Sequence, residues 1–212
     1  RLLLADSGVD YDLPYEQGIR NLSVGKGTRN FLKEAAMSPE ECQLCLERGA
    51  SLVDEVFESG CNVVSFGEMG IGNTTTSTAL ACILLDLNPQ EVTGRGAGLD
   101  NAGLKRKTEV IAEAQHLYTK YKKNPLCLLQ QIGGLDIAGL VGVFLGGAVY
   151  RIPVIVDGVI SAVAALIAVS VFPAARDFII TSHHGKEPAM KALLKALEKE
   201  AVLFAELALG EG

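Results

Sequence analysis

Apolar residues along this chain fall into two kinds of run. Short ones bounded by glycine, proline or aspartate suit buried parallel strands; longer ones repeating near 3.6 residues suit helices. Leu2-Leu3-Leu4-Ala5-Asp6 is of the first kind and reads as a buried strand, followed by a polar stretch to Gly27 with little periodicity. Ser38-Pro39-Glu40-Glu41 opens a helix expected to run to about Ser59 and stop at Gly60. Ser38 can cap it, Pro39 fits the first helical position, and Glu41 can reach back to the cap. Cys61 to Phe66 is the next expected strand, Gly67 to Asn73 a glycine-rich turn, and Thr74 to Leu87 a helix. Asn101 to Lys122 reads as a long amphipathic helix, Asp136 to Tyr150 as an apolar one, Pro153 to Val156 as a strand, and Val159 to Val171 as a second apolar helix. Asp177 to Thr181 and Glu187 to Ala201 complete the alternation as strand and helix. Strands alternating with helices predict an α/β fold: a parallel sheet with helices on both faces, in one domain spanning residues 1–212.

Composition narrows the class. Nearly half of the 212 residues are hydrophobic but few are aromatic, so the core is aliphatic. A net charge of −6 argues against a nucleic-acid partner, which would want a basic face. Lys120 to Lys123, the local exception, reads as a solvated helix end. The apolar segment from Ile137 to Phe172 raises the question of a membrane span, but Gly146-Gly147, Arg151, Pro153 and Asp157 cut it into pieces shorter than the ~20 residues a span needs. Cys42 and Cys45 form a CxxC on a helical pattern with no second pair, so reduced, inert thiols are expected rather than a zinc or redox site. No leader pattern opens the chain, which suits a cytoplasmic location. It begins at Arg1 and stops at Gly212 in a glycine-rich turn, so it is expected to be part of a longer protein.

In parallel α/β sheets, ligands gather at the carboxyl ends of the strands. Asp6-Ser7-Gly8, Gly67 to Thr75, Asp157-Gly158 and Ser182 to Glu187 follow the four expected strands. The Gly70-Ile71-Gly72-Asn73-Thr74-Thr75 string has the make-up of a phosphate cradle: glycines admit a ligand close to the backbone, and the helix behind them aims free N–H groups at an anion. A tight turn capped by Asn73 or Thr74 is the plainer reading. The string is neither a Walker A loop nor GxGxxG, which disfavours a P-loop phosphotransferase. Arg95-Gly96, inside Thr93 to Gly98, suits phosphate or carboxylate recognition, or else a flexible connection. Of Lys105, Arg106 and Lys107, one or two at most can face a site. Asp157-Gly158 suits a ribose hydroxyl, or else Asp157 caps the next helix. His183 and His184 suit polar contact to a phosphate, or capping, more than a metal. Glu68 beside a phosphate cradle is electrostatically odd, a hint of chemistry, and Glu211 in Gly-Glu-Gly has the same look; either could face water.

Together these segments resemble the nicotinate-nucleotide:dimethylbenzimidazole phosphoribosyltransferases. The match runs through Gly25-Lys-Gly-Thr-Arg-Asn-Phe31, Phe66-Gly-Glu-Met-Gly-Ile-Gly-Asn-Thr-Thr75 and Gly94-Arg-Gly-Ala-Gly-Leu99. It continues through Arg151-Ile-Pro-Val-Ile-Val-Asp-Gly158, Ser182-His183 with Glu187-Pro188, and Leu209-Gly-Glu-Gly212. The resemblance implies transfer of phosphoribose from nicotinate mononucleotide to dimethylbenzimidazole or a related base, without a metal or other cofactor. It also implies a Rossmann-like sheet, a small helical part and a homodimer. By the same resemblance Glu211 is the general base and Glu68 and Met69 line the pocket. Gly70, Ile71, Gly72, Asn73, Thr74, Thr75, Arg95, Gly96, Lys107, Asp157, Gly158, Ser182, His183 and Gly185 serve the phosphoribosyl side. The chain departs from the family at Gly185, where Ser is usual, at Ala189-Met190, where Gly-His is usual, and at Ala208, where Arg is usual. A family segment bearing Asp-His-Gly would precede Arg1. The alternative is a relative that binds the nucleotide, or serves structurally, without turnover.

Overall fold

The computed structural model describes residues 2–204 of the chain. Its elements in order are β1 (Ala5–Asp6), a 3-10 turn, β2 (Arg20–Asn21), α1 (Pro39–Glu58), β3 (Val64–Ser65), α2 (Asn73–Leu85), α3 (Pro89–Val92) and α4 (Asn101–Tyr118). There follow α5 (Pro125–Ile132), α6 (Leu135–Tyr150), β4 (Val154–Val156), α7 (Val159–Val171), β5 (Ile179–Thr181), β6 (His183–His184), α8 (Met190–Leu197) and β7 (Leu203–Phe204). Every strand pairing is parallel, as the alternation of elements requires.

The start of α1 is built as its sequence dictates. The Ser38 hydroxyl accepts from the Glu41 N–H at 3.1 Å, and the Ser38 N–H donates to the Glu41 carboxylate at 2.6 Å. That capping box satisfies two otherwise orphaned donors. The Arg29 guanidinium closes on the same carboxylate at 2.6 Å and ties the preceding loop to the helix.

The sheet is shorter and more divided than the apolar runs suggest. Among the described residues, only β3, β4 and β5 form the central sheet, in that order, with Val64 beside Val154 and Val154 beside Ile179. The first expected strand lies outside it. β1 pairs with β2 alone, and Leu2 is 90% exposed, so the apolar run at the start of the chain is not a core strand. Asp6 is fully occupied locally, accepting from the Gly8 and Val9 N–H groups and from the Tyr15 hydroxyl at 2.6 Å. The last helix runs only from Met190 to Leu197, because the chain must return to pair β7 with β6; Glu198 makes the turn in the left-handed region. Two helices escape the periodicity reading, α3 and α5. Each begins with an Asn whose side chain caps and a Pro at the first helical position, Asn88-Pro89 and Asn124-Pro125.

The apolar segment that raised the membrane question is the core. From Val159 through Val169 every residue of α7 is buried, and α6 is buried along most of its length. Among the described residues, no helix is long and apolar enough to cross a membrane. Cys42 and Cys45 lie buried on α1 as free thiols, with burial pushing them up to about 11 and about 12.

α1 and α6 meet at a seam of glycines. A Cβ on Gly49 would collide with the carbonyl oxygen of Gly139, and one on Gly142 with the carbonyl of Leu46. Gly146 lies against Ala50 and Val53, and Phe57 stacks on Tyr150 at 5.1 Å where the helices end. The two backbones therefore touch directly. In an unconstrained helix interior, replacing Gly by Ala stabilises by about 1 kcal/mol. Here Gly49→Ala and Gly142→Ala are each expected to destabilise by about 1–3 kcal/mol, the usual cost of overpacking a closed contact. Gly67→Ala, with open space around it, is expected to change stability by less than about 0.5 kcal/mol. Urea unfolding of the three variants checks this, and a neutral or stabilising Gly142→Ala would contradict the seam.

Candidate active site at the carboxyl ends of the central strands

The three central strands end at Phe66-Gly67-Glu68, Asp157-Gly158 and Ser182-His183, so the sheet brings three of the four expected loop clusters to one edge. Phe66 is fixed from behind by an edge-on contact with Phe144 of α6 at 5.5 Å. A shallow recess opens between Phe66, Glu68, Asp157, Gly158 and Ser161.

The first turn of α2 organises the cluster. Gly72 is its N-cap in the left-handed region, φ 80°, which only glycine adopts without strain. No side chain caps the helix, so the capped-turn reading fails for both candidates. The Asn73 side chain, 7% exposed, turns instead to two carboxylates: its Nδ2 donates to Glu68 and, at 2.9 Å, to Asp136. The Thr74 hydroxyl accepts from Lys107 Nζ at 2.9 Å. One helical turn thus has an acidic side and a cationic side, with uncapped backbone between them.

On the cationic side Lys107 is 6% exposed and donates to Thr74 and, at 3.0 Å, to the Gly94 carbonyl. Two of its three donors are engaged by these groups. Burial lowers its pKa, and Glu187 opposes that. The Glu187 carboxylate lies against Gly94, where a Cβ would displace it. Gly96, at φ 54°, leaves its missing Cβ position 2.9 Å from the Thr74 hydroxyl and 3.5 Å from Lys107 Nζ. A side chain there would fill the space over the ammonium.

On the acidic side burial pushes Glu68 up to about 7, against the Asn73 hydrogen bond and with help from the charges of Asp136 and Asp157. Asp157 is not a cap either. Gly158 is the N-cap of α7, without a side-chain bond, and the Asp157 N–H is tied to the Ser161 hydroxyl at 3.0 Å. Burial raises the Asp157 carboxyl and His183, 3.9 Å away, opposes it. The Ser182 hydroxyl donates to the Val156 carbonyl at 2.7 Å, which leaves it to accept from His183 Nδ1 at 2.9 Å. That chain holds the ring of His183, itself buried, beside Asp157. Among the described residues no group of three His, Cys, Asp or Glu side chains is close enough to hold a metal ion.

Of the residues expected from sequence, Glu68, Gly70, Gly72, Asn73, Thr74, Gly96, Lys107, Asp157, Gly158, Ser182 and His183 fall around this edge. Thr75 follows on the same helical turn, its N–H donating to the Gly72 carbonyl at 3.0 Å. Gly185 lies in the turn after β6. Met69 and Ile71 flank Gly70 with fully exposed side chains. Arg95 is not brought in: its guanidinium closes its own loop, onto the Leu99 carbonyl at 2.7 Å and Asn101 at 2.6 Å. Glu211 lies outside the described residues. Sequence reading missed Asp136 and Ser161 as members of the cluster, and placed Glu187 at this edge without giving it a role. Asp136 carried a signal, since it follows Gly133-Gly134 at the mouth of an apolar helix.

An uncapped helix start with a buried lysine beside it, facing acidic groups across a glycine turn, can receive an anionic group on one side and hydrogen-bond donors on the other. The sequence pattern of the family described as Phosphoribosyltransferase matches residues 1–212. The chain belongs to the nicotinate-nucleotide–dimethylbenzimidazole phosphoribosyltransferase family. It is 44% identical over 207 residues to the protein of that name from Clostridium acetobutylicum, and 43% identical over 211 residues to that of Acetivibrio thermocellus. Those alignments cover 98% and 100% of this chain and 58% and 60% of the relatives. The fold is similar to that of CobT from Thermus thermophilus, with TM-score 0.91 at 34% identity over 99% of this chain and 63% of the other. The chain spans about six tenths of the length of the relatives it matches.

The raised Glu68 carboxyl has a consequence for stability. Below pH 4.5 it is neutral in both the folded and the unfolded chain and costs nothing. Between 4.5 and about 7 the unfolded chain releases the proton and the folded chain keeps it, so stability falls as pH rises; above about 7 the loss is complete. Glu68→Gln removes that dependence. Its thermal midpoint is expected to exceed the wild type's at pH 8 and to approach it at pH 4.5, as read by circular dichroism. An equal gap at both pH values would mean that Glu68 is an ordinary surface carboxylate.

Proposed function

We propose that this chain carries the nucleotide-holding part of an enzyme that transfers phosphoribose from nicotinate mononucleotide to dimethylbenzimidazole or a related base, giving α-ribazole phosphate and nicotinate. The observation that carries this reading is the division of the α2 start, with Lys107 and uncapped backbone on one side and Glu68, Asp136 and Asp157 on the other. Nicotinate mononucleotide bears a phosphate at one end and, at the other, a pyridinium ring that also carries a carboxylate. The phosphate suits the cationic side and helix start, as anions generally do. The ribose hydroxyls and pyridinium suit the carboxylates.

The chemistry asks little covalent work of the protein. A ring nitrogen of the incoming base attacks C1 of the ribose, the bond from C1 to the pyridinium nitrogen breaks, and its electron pair leaves with nicotinate. The protein's task is to hold C1 in line with the attacking nitrogen and to take the azole N–H proton. We assign that proton to Glu211, on the family resemblance of Gly210-Glu211-Gly212. Ser182, His183 and Gly185 are assigned to the phosphoribosyl side with Asp157 and Gly158, and Met69 and Ile71 to the rim. No metal or other cofactor enters this scheme. A homodimer in the cytoplasm, with a Rossmann-like α/β domain and a small helical part, completes the reading; the relatives' names support its substrates and the parallel strands support its fold.

Two substitutions separate binding from chemistry. Lys107→Met is expected to weaken nicotinate mononucleotide binding about 10- to 100-fold, the loss of one charge-assisted contact. Glu211→Gln is expected to keep that binding and to lower the rate of nicotinate release, with dimethylbenzimidazole as acceptor, by about 10²–10⁴-fold. Calorimetric titration and a nicotinate assay read the two effects. Wild-type rates in Glu211→Gln would remove it as the base, and wild-type binding in Lys107→Met would remove the phosphate assignment.

A further inference from the structure

We propose that Asp136 is a positioning residue for this site: through the Asn73 amide it fixes the Glu68 carboxyl over the recess. This deepens the phosphoribosyl reading and rests on it for what the neutral carboxyl does, but not for the bridge itself.

The bridge is a matter of geometry. A primary amide has two N–H donors, and Asn73 Nδ2 spends them on Glu68 Oε2 and Asp136 Oδ2, two carboxylates from different elements. Asn73 is nine-tenths buried and fixed in the first turn of α2, so it cannot follow either partner outward. Asp136 enters from the first turn of α6, a helix held by its glycine seam. The space between is already full, since a Cβ on Gly70 would lie 2.6 Å from Asp136 Oδ2 and equally inside the Asn73 amide. Glu68 belongs to a loop with exposed neighbours on both sides, Gly67 and Met69. The amide is therefore its anchor.

The groups that face Glu68 are Asn73 from α2, Asp136 from α6 and Asp157 from the end of β4, with His183 beyond Asp157. Burial is the main influence that raises the Glu68 carboxyl, the Asn73 donor opposes it, and the two nearby negative charges add to it. Asp136 thus acts in two senses, holding the amide that orients Glu68 and opposing its charge. A neutral carboxyl in the recess donates a hydrogen bond to a ligand oxygen or nitrogen, where an ionised one can only accept.

These two influences have opposite signs, which makes the proposal testable without any assay of turnover. Carbon-13 NMR of the glutamate-labelled chain follows the Glu68 side-chain carboxyl through pH, assigned by its loss in Glu68→Gln. In the wild type its midpoint is expected near about 7. Asp136→Asn, which removes the charge and keeps an oxygen for the amide, is expected to move the midpoint down. Asn73→Ala, which removes the donor, is expected to move it up. A merely structural Asp136 would lower the thermal midpoint and leave the Glu68 titration in place. An unmoved midpoint in Asp136→Asn, or the same direction of shift in both variants, would overturn the proposal. Should Asp136→Asn not fold, Asn73→Ala with an unmoved or lowered midpoint overturns it alone. Nicotinate release then tests the layer beneath: in a Glu68→Gln background, Asp136→Asn is expected to add no further loss of rate. Opposite NMR shifts in a protein that releases no nicotinate would leave the bridge standing and sink the phosphoribosyl reading instead.

Discussion

The contact on which the rest depends is the direct meeting of the α1 and α6 backbones. Side chains normally hold helix axes some 8–10 Å apart. At Gly49 and Gly142 there is no room for a Cβ, and at Gly146 little, so main chain packs on main chain. That fixes α6, and α6 in turn fixes the site at both of its ends. Its first turn delivers Asp136 to Asn73, and its last is backed by Gly147 against Val154 of β4. β4 is the middle strand of the central sheet and ends at Asp157. A displaced α6 would carry Asp136 away from the amide and shift the strand that supplies the opposite wall of the recess. Close-packed interiors transmit such shifts rather than absorb them.

A second constraint is the refusal of α2 to be capped. Asn and Thr at a helix start ordinarily turn back to satisfy free N–H groups. Here Asn73 is engaged by two carboxylates and Thr74 by a lysine, so each residue suited to capping serves a neighbour instead. The left-handed Gly72 makes this possible by bringing the chain into the helix without a side chain at the cap. α7 starts in a similar way, from Gly158, while Ser161 holds the Asp157 N–H. Two uncapped helix starts therefore flank one edge of the central sheet. Side chains cap α1, α3, α4 and α5. They do not cap α8, nor α2, α6 and α7, the helices whose first turns supply Asn73, Asp136 and Ser161.

What could be read from the sequence divides along the range of the interactions. The Ser38–Glu41 box spans three residues, and its geometry follows from the letters alone. The glycine turn before α2 is likewise local, so Gly70 to Thr75 was legible as a unit. Lys107 was one of three adjacent basic residues, and only the structure distinguishes it: its partners Gly94 and Thr74 lie 13 and 33 positions away. Asp136 is 63 positions from Asn73, and a single aspartate at a helix start reads first as ordinary helix chemistry. Arg95 misled in the other direction, because an arginine in a glycine loop looks available until its own loop is seen to bind it. Leu2 to Asp6 misled because an apolar run predicts burial, not the partner that provides it.

The two unfavourable burials at this edge explain each other only when a ligand is considered. Lys107 loses solvation on one side of the α2 turn and Glu68 on the other, and both are pushed toward their neutral forms. Opposite charges could relieve that cost by pairing directly, yet Lys107 is tied to Thr74 and Gly94 while Glu68 is tied to Asn73. Adjacent residues of one rigid turn hold the two in separate places. A ligand with an anion at one end and a hydrogen-bonding group at the other would engage both residues, which a simple phosphate would not. Such a ligand binds the folded chain alone and so stabilises it by mass action. On the phosphoribosyl reading, the dipolar substrate fits both halves and the product, once nicotinate has left, is matched to them differently. On that reading, the desolvation cost that the fold carries in these two groups favours a ligand that engages both over free phosphate, which reaches one.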